Sequence, residues 1–195
     1  NYFGDGERFG VRLCYVHDRP GCEGTGGALL NAYEERAVSV DDELLIYYGD
    51  ILSDIDLTKM LKEHRLVGAS ATLAIAKGYQ IPVGTARIDE RNRVLELVEK
   101  PTLDIAVAIA IMVLQGIALK DLEALAKGGK KRPDLMGDFV PALIKSGKAV
   151  HSYLHSSFWY DVASTERYEK LNPEIVDRLL AVSYTHLRAH ETVLD

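Results

Sequence analysis

Two aspartates follow predicted strands and could bind a metal ion together. Asp50 follows the apolar segment 43–48 with one glycine, Gly49, between them, and Asp161 follows the aromatic pair Trp159-Tyr160. In an open α/β sheet, ligands bind beyond the carboxyl ends of the strands, so both carboxylates could meet at one edge. Mg²⁺ takes one or two carboxylates and leaves positions for substrate phosphates. The alternatives are a solvated turn or helix cap for Asp50, and a capping or ion-paired carboxylate for Asp161.

A glycine-rich segment, Gly24-Thr25-Gly26-Gly27, lies between a predicted strand and a predicted helix. Glycines let a ligand approach the backbone, and the free N–H groups at a helix N-terminus attract anions. The segment is not a G-x-G-x-x-G motif, because Leu29 occupies the last glycine position, and G-x-x-x-x-G-K-[ST] is absent from the chain. A plain tight turn is therefore an equal alternative to an anion-binding role.

Two more charged clusters lie at the ends of predicted elements. In Val98-Glu99-Lys100-Pro101 the proline stops a strand and leaves a Glu-Lys pair at its end. That pair could contact a ligand or form a surface salt bridge. Asp54 and Asp56 precede an amphipathic helix, where a helix cap is favoured over a D-x-D metal motif.

The elements that must position these residues alternate between strand and helix. This order predicts an α/β fold with a mixed, mainly parallel sheet flanked by helices. Apolar 43–48 is typical of a central strand, and 83–98 predicts a hairpin excursion. The predicted strands are 11–17, 43–48, 69–76, 83–88, 94–98, 105–119, 149–154 and 158–162. The predicted helices follow the glycine-rich segment, span 56–66, 120–126 and 138–145, and follow the capping residue Ser164.

Composition excludes several classes of protein. The 195 residues include 23 Lys+Arg and 29 Asp+Glu, which gives a net charge of −6, and no basic block occurs. The chain is therefore a poor candidate for binding nucleic acid or an anionic membrane, and small molecules are its expected partners. The longest uncharged apolar run, 105–114, is roughly half as long as a membrane-spanning helix requires. Two cysteines cannot make a disulfide framework, so we expect a reduced, cytoplasmic protein.

The last residues differ in character from the rest of the chain. From Ser183 onward there is no apolar period, and two of the six histidines occur there. This segment resembles translated adapter sequence, so we assign residues 1–182 to one core domain and 183–195 to a non-native tail. His186 and His190 could bind a metal on a helix, but no third ligand is placed on the same face.

Five segments, in this order, resemble motifs of the sugar-1-phosphate nucleotidylyltransferases. The resemblance extends from about residue 2 to residue 172. It implies a Rossmann-like α/β core with a small β excursion over a sugar. The matched segments are Phe3-Gly4-Asp5-Gly6 with Phe9-Gly10 (F-G-D-G-x-x-F-G), residues 23–29 (L-G-T-A-G-A-L), Tyr48-Gly49-Asp50 (N-G-D), Val98-Glu99-Lys100-Pro101 (V-E-K-P) and Trp159-Tyr160-Asp161-Val162 (W-x-D-[IV]-G-T).

The resemblance implies a Mg²⁺-dependent reaction of two substrates. An oxygen of a sugar 1-phosphate attacks the α-phosphorus of a nucleoside triphosphate, and pyrophosphate leaves. Such a transfer needs a cation and in-line positioning but little covalent help. It leaves open whether the chain forms a homo-oligomer. By the family pattern, the metal ligands are Asp50 and Asp161, which are catalytic together with Lys100; the nucleotide-binding residues are Gly24, Thr25, Gly26 and Gly49; and the residues facing the sugar phosphate are Gly84, Glu99, Lys100 and Gln115.

The chain also departs from the family pattern. The family's first strand and glycine-rich signature loop are absent upstream of Tyr2, which implies an N-terminally truncated fragment, inactive by itself and with exposed sheet edges. Glu23 replaces a leucine, Ala163 replaces a glycine, and Leu114-Gln115-Gly116-Ile117 stands in place of N-x-G-I. These changes leave open a non-catalytic regulatory subunit that binds a nucleotide-sugar. A nucleotide-sugar glycosyltransferase that uses Asp54 and Asp56 is the other alternative.

Overall fold

A four-stranded sheet lies at the centre of the protein, in a computed structural model that describes residues 2–129, 133–174 and 176–177. Its strands are β1 (Glu43–Tyr47), β3 (Ala71–Gln80), β6 (Thr102–Gln115) and β7 (Val150–His155), in the order β1-β6-β3-β7. Strand β6 is antiparallel to β1 and β3, whereas β7 is parallel to β3. Three strands therefore run in one direction and β6 runs against them, which confirms the predicted mixed α/β fold.

The long strand β6 contributes to two apolar cores, one on each face of the sheet. Because successive side chains of a strand point to opposite faces, Met112 and Leu114 join one core while Ile111 and Val113 join the other. All four side chains are fully buried. The apolar run noted in the sequence is therefore a strand whose second half, residues 109–114, is covered on both faces, whereas Ile105 is exposed.

Helices cover both faces of this sheet. They are α1 (Thr25–Glu34), α2 (Leu57–Val67), α3 (Leu119–Lys127), α4 (Val140–Lys145, after the π turn Leu135–Phe139) and α5 (Thr165–Glu169). The face of Met112 is covered by α1, α3, α4 and the π turn, and the face of Ile111 is covered by α2. The helix α5 follows β8. Short 3₁₀ turns span Glu7–Phe9 and Gly116–Ala118.

Two short antiparallel ribbons lie outside the central sheet. Strand β2 (Ile51–Ser53) pairs with β8 (Trp159–Asp161), and β4 (Thr85–Ile88) pairs with β5 (Val94–Val98). The β4–β5 ribbon is the predicted hairpin, and its large apolar side chains are exposed. The β2–β8 ribbon joins segments that are distant in the chain, and it positions the candidate site.

Local contacts explain where several elements begin and end. The Lys59 N–H donates to Asp56 Oδ1 (2.8 Å) at the start of α2, which confirms the predicted cap. Strand β6 ends at Gln115 rather than at residue 119, because the backbone turns away at Gly116. The Gly116 N–H donates to the Asp42 carbonyl (2.8 Å), and a Cβ at this position would lie 2.5 Å from that oxygen.

Two predictions about strands are wrong. Residues 11–17 form no strand, and a backbone bond from the Leu13 N–H to the Asp5 carbonyl (2.6 Å) fixes them as a loop. Among the described strands, none lies beside this loop to continue a ladder. Strand β1 is at an edge of the described sheet rather than at its centre, and Leu45 and Tyr47 are exposed there. The pairing of a strand depends on its neighbours in space, which an apolar pattern does not specify.

The predicted tail at 183–195, with His186 and His190, lies outside the described residues. Within the ranges that are described, no helix is long and apolar enough to cross a membrane.

Candidate functional site

The β2–β8 ribbon brings Asp50 and Asp161 to the same end of two short strands. Ile51 pairs with Asp161 in the ladder, and the Val162 N–H donates to the Asp50 carbonyl oxygen (2.7 Å). The two aspartates are thus neighbours across the ribbon although 111 positions separate them in the sequence. The ribbon therefore brings together the backbone of the two aspartates that the sequence groups as a candidate site.

The Asp161 carboxylate already has two partners. Its Oδ1 accepts a hydrogen bond from the Ala163 N–H (2.9 Å), and its Oδ2 accepts one from Arg167 Nη1 (2.5 Å). The negative charge of Asp161 raises the pKa of Arg167. The structure places an ion pair at this position, which was one of the alternatives for Asp161.

Sequence analysis did not identify Arg167 as a site residue. The sequence held one signal: the third helical position after a capping Ser or Thr often carries Glu or Gln, whereas Arg167 occupies that position after Ser164. The Arg167 N–H donates to Ser164 Oγ (3.2 Å), so the cap forms as predicted. The side chain then turns back toward Asp161, a tertiary contact that a cap pattern cannot predict.

The donor set fits a divalent cation that shares its ligands with a substrate. Asp50 is exposed and Asp161 is half-buried, and both offer hard oxygen ligands. Among the described residues, no group of three or more His, Cys, Asp or Glu side chains could hold a metal ion. Two carboxylates are fewer ligands than a complete protein cage, so a cation held here would take its other ligands from a substrate or from water.

A cavity of about 630 Å³ lies beside Asp161 and carries an excess of positive charge. Lys100, Arg167 and Lys170 line it with Asp161 as the only carboxylate among the lining residues. Tyr79 and Trp159 stack on its wall, with ring centroids 6.1 Å apart and an angle of 22° between the rings. An open cavity with cationic and aromatic walls suits a ligand that has both a phosphate and a ring.

The V-E-K-P segment brings Lys100 into this cavity. Lys100 has a left-handed backbone (φ 46°), and its carbonyl accepts a hydrogen bond from Gln80 Nε2 (3.0 Å). Glu99 lies close to Gly84 across the hairpin, because a Cβ on Gly84 would come within 3.0 Å of Glu99 Oε2. The structure therefore places three of the predicted sugar-facing residues in one neighbourhood, and Lys100 lines the same cavity as Asp161.

Gln115 lies away from the other predicted site residues. It pairs with Glu43 at the start of β1, whereas Asp50 follows the end of that strand. Five strand residues span about 15 Å, so Gln115 is at the opposite end of β1 from Asp50. A different residue of β6, Ala110, contacts the segment that carries Asp50. Ala110 has a left-handed backbone (φ 55°), and its carbonyl accepts a hydrogen bond from the Tyr48 N–H (3.2 Å).

The glycine-rich segment opens α1 as predicted, but several of its groups are engaged within the protein. The Gly26 N–H donates to the Pro133 carbonyl (3.0 Å), and a Cβ on Gly26 would come within 2.5 Å of that oxygen. The Thr25 hydroxyl donates to Asp134 Oδ2 (2.9 Å) and accepts from the Leu135 N–H (2.8 Å). Gly26 therefore allows a close approach between the first turn of α1 and the Pro133 backbone.

Tyr48 connects this segment to Asp50. Burial raises the pKa of the Tyr48 hydroxyl, and the negative charges of Asp134 and Asp50 raise it further. Gly49 follows in open space, since a Cβ there would meet no atom within 4 Å. The segment Tyr48-Gly49-Asp50 thus lies between the glycine-rich turn and the carboxylate pair.

The mixed sheet and its flanking helices define an α/β protein, and two aspartates lie side by side at the end of a short ribbon. The model of the family described as Nucleotidyl transferase matches residues 1–178. The chain therefore belongs to the nucleotidyl transferase family.

Relatives with assigned activities are sugar-1-phosphate nucleotidyltransferases. The UTP–glucose-1-phosphate uridylyltransferase of Synechocystis sp. is 30% identical over 180 residues, covering 86% of this chain and 46% of that protein. The mannose-1-phosphate guanylyltransferase of Mycobacterium tuberculosis is 26% identical over 179 residues, covering 89% of this chain and 47% of that protein. The chain thus spans about half the length of these curated relatives.

A solved structure supports the fold. The crystal structure of a Bacillus anthracis protein, described as a glucose-1-phosphate thymidylyltransferase in complex with a sucrose, superposes with a TM-score of 0.63 at 20% identity. The similarity covers 87% of this chain and 67% of that one. At this level of identity the likeness concerns the fold.

Proposed function

We propose that this chain is part of an enzyme that transfers a nucleotidyl group from a nucleoside triphosphate to a sugar 1-phosphate. A phosphate oxygen of the sugar attacks the α-phosphorus, a new P–O bond forms, and the bond to the departing pyrophosphate breaks. The observation that carries the proposal is that Asp161 both borders the cationic cavity and lies across the ribbon from Asp50. Membership of the family and the names of its relatives support the reaction class.

In this proposal Asp50 and Asp161 hold a Mg²⁺ ion. The ion would supply charge neutralisation where several phosphate groups converge. Lys100 carries a positive charge into the cavity and would pair with phosphate oxygens as a point charge. The stacked rings of Tyr79 and Trp159 would limit the orientation of a sugar, so that its phosphate points toward Lys100.

The nucleotide would lie on the other side of Asp50, toward the glycine-rich turn. Gly24 has a positive φ of 85° and a Cβ there would have 3.8 Å to its nearest neighbour, so its backbone can approach a ligand. Gly49 is likewise unobstructed. Thr25 and Gly26 would support this turn through Asp134 and Pro133 rather than by free polar groups.

The test is pyrophosphate release with Mg²⁺ across a panel of nucleoside triphosphates and sugar 1-phosphates. The chain should be assayed beside the longest natural polypeptide that contains it, in view of the length of its relatives. In the active polypeptide, Asp50→Asn and Asp161→Asn should each abolish Mg²⁺-dependent turnover. Near-normal rates in either variant would falsify the assignment of that aspartate.

Asp54→Asn is the matched control, because it removes one carboxylate charge from the same region. Asp54 Oδ1 lies 3.3 Å from His155 Nε2, and Asp56 caps α2, so both have structural partners. Turnover should therefore persist in Asp54→Asn.

A glycosyltransferase would be favoured if the unchanged protein transferred sugar without releasing pyrophosphate and only Asp54→Asn abolished that transfer. Nucleotide-sugar binding without turnover in every form would favour a regulatory subunit.

A further inference from the structure

The ion pair between Arg167 and Asp161 occupies the carboxylate that the proposed function assigns to a cation. Arg167 Nη1 lies 2.5 Å from Asp161 Oδ2 and 3.4 Å from the Asp161 carbonyl oxygen. The other carboxylate oxygen, Oδ1, accepts the Ala163 N–H. Both oxygens of Asp161 therefore have a donor, whereas a bound cation would need at least one of them.

We propose that Arg167 and a divalent cation are alternative partners of Asp161, and that the displaced guanidinium binds the phosphate of the substrate in the adjacent cavity. This inference rests on the proposed function and adds to it a phosphate-binding residue and a coupling between two ligands. Arrival of the cation would release Arg167 into the cavity, so that the phosphate site is completed only when the cation is present.

Charge explains why the two partners exclude one another. A cation on Asp161 Oδ2 would share that oxygen with the Arg167 guanidinium, so two positive groups would lie a few ångströms apart at a partly buried position. Their repulsion favours movement of the side chain that can move. The carboxylate of Asp161 is fixed by the ribbon and by Ala163, whereas the arginine has a long, partly exposed side chain.

The backbone around Arg167 allows this movement without unfolding α5. The Arg167 N–H is held by Ser164 Oγ (3.2 Å), and its carbonyl accepts a hydrogen bond from the Tyr160 hydroxyl (2.8 Å). Both contacts anchor the backbone and neither involves the guanidinium. Arg167 also lines the cavity together with Lys100, so a small side-chain rotation keeps it within the phosphate site. A guanidinium presents parallel N–H groups that match phosphate oxygens.

The first test measures the binding of Mn²⁺ alone, which is monitored through the electron paramagnetic resonance signal of the free ion. Mn²⁺ accepts the same oxygen ligands as Mg²⁺ and needs no substrate for detection. Arg167→Gln should bind Mn²⁺ about tenfold more tightly than the unchanged chain, because the competing charge is gone. Arg167→Lys keeps the charge and should stay within about twofold of the unchanged chain. Equal affinity in Arg167→Gln and the unchanged chain would overturn the inference.

Arg65→Gln is the matched control. It also breaks an arginine–carboxylate pair, in which Arg65 Nη2 lies 2.6 Å from Glu43 Oε2, but neither residue borders the cavity. Its Mn²⁺ affinity should equal that of the unchanged chain. A similar gain of affinity in Arg65→Gln would mean that net charge alone is responsible, which overturns a specific exchange at Asp161.

The second test is binding of inorganic phosphate, with and without saturating Mn²⁺. In the unchanged chain Mn²⁺ should raise phosphate affinity more than it does in Arg167→Gln, since only the former releases a guanidinium. By reciprocity, phosphate should raise Mn²⁺ affinity by the same factor in each protein. An equal Mn²⁺ effect in both proteins would overturn the phosphate-binding role of Arg167.

Asp161→Asn separates failure of this inference from failure of the proposed function. If Asp161→Asn loses Mn²⁺ binding while Arg167→Gln behaves like the unchanged chain, only the exchange is wrong. If Asp161→Asn binds Mn²⁺ normally, or if no form binds it, the cation assignment fails together with the exchange. Pyrophosphate release would then test the reaction class by itself.

Discussion

The hydroxyl of Thr25 donates a hydrogen bond to Asp134, 109 residues further along the chain, over 2.9 Å. The same hydroxyl accepts the Leu135 N–H (2.8 Å), so one oxygen joins the start of α1 to the start of the π turn before α4. The contact fixes the glycine-rich turn against the helical layer and thereby fixes its distance from Tyr48 and Asp50.

Replacing Thr25 should reveal this role. Thr25→Val keeps the shape but removes the donor to Asp134 Oδ2 and the acceptor of the Leu135 N–H, so it should lower the free energy of unfolding by about 1–3 kcal/mol. Thr25→Ser retains the hydroxyl and should lower it by less than about 1 kcal/mol. Urea unfolding followed by circular dichroism measures both values. Equal losses in the two variants would show that the methyl group, not the hydroxyl, matters.

Ala110 should be more stable as glycine. Its left-handed backbone (φ 55°) places a Cβ where L-residues are disfavoured by about 1–2 kcal/mol, partly offset by the greater freedom of glycine in the unfolded chain. Ala110→Gly should therefore raise the free energy of unfolding by about 0.5–1 kcal/mol. Ala108→Gly is the control, because Ala108 pairs with Ile75 in β3. This variant should lower the free energy of unfolding by about 0.5–1 kcal/mol. Destabilisation of both variants would contradict the prediction.

His64 should make stability depend on pH. It is fully buried, Nδ1 lies 2.8 Å from Thr72 Oγ1, and Nε2 has no hydrogen-bond partner within the described part of the chain. Burial lowers the pKa of His64 from its usual 6.5; Glu43 raises this pKa, while Arg65 and His151 lower it. The unfolded chain therefore binds more protons at acid pH, and this part of the stability is present above about pH 6.5 and lost as the pH falls below it.

The measurement compares unfolding free energies from pH 7.5 to pH 5 in the unchanged chain and in His64→Gln. The unchanged chain should lose up to about 1.4 kcal/mol per pH unit more than the variant below pH 6.5. His17→Gln, at an exposed histidine, should leave the slope unchanged. Parallel slopes for His64→Gln and the unchanged chain would show that His64 is not the responsible group.

Lys100 and Gln115 should differ in their effect on substrate binding. In the active polypeptide, Lys100→Gln should raise the KM for the sugar 1-phosphate by about tenfold or more, as expected for loss of a charged hydrogen bond. Gln115→Ala should leave this KM within about twofold, because Gln115 lies at the opposite end of β1 from Asp50. A large effect at Gln115 would restore the role that the family resemblance implied.

The proposed division into a core at 1–182 and a non-native tail predicts that the tail is dispensable. Removing residues 183–195 should change the Tm by no more than about 2 °C, a shift that corresponds to about 0.5–1 kcal/mol in a domain of this size. Differential scanning calorimetry of the two chains tests this. A loss of several degrees would show that the tail packs on the core.

Patterns within one element predicted the fold well where local chemistry decides the outcome. The cap by Asp56, the cap by Ser164 and the apolar strand β6 needed no knowledge of distant residues. The loop at 11–17 and the edge position of β1 were missed, because a strand forms only where a neighbour completes its ladder. The pattern of residues 11–17 was compatible with a strand, but none of the described strands lies beside it.

The candidate site likewise combines residues that local patterns could predict with residues that only tertiary contacts reveal. Asp50 and Asp161 could be chosen as residues that follow strands, and the ribbon then placed them side by side. Arg167 and Asp134 could not be chosen, because their importance comes from side chains that reach across the fold to Asp161 and Thr25. Gln115 was assigned by motif similarity alone, and the strand register separates it from the other residues.

The alternating burial along β6 has a consequence for how this protein can change over evolution. Since Met112 and Leu114 fill one core and Ile111 and Val113 fill the other, deleting a single residue there would exchange the two sets of side chains at once. Substitutions of similar volume can accumulate in this strand, whereas changes of its length cannot. Length variation among descendants should instead concentrate in the exposed turn between Ile88 and Val94, where an added residue disturbs neither helical layer.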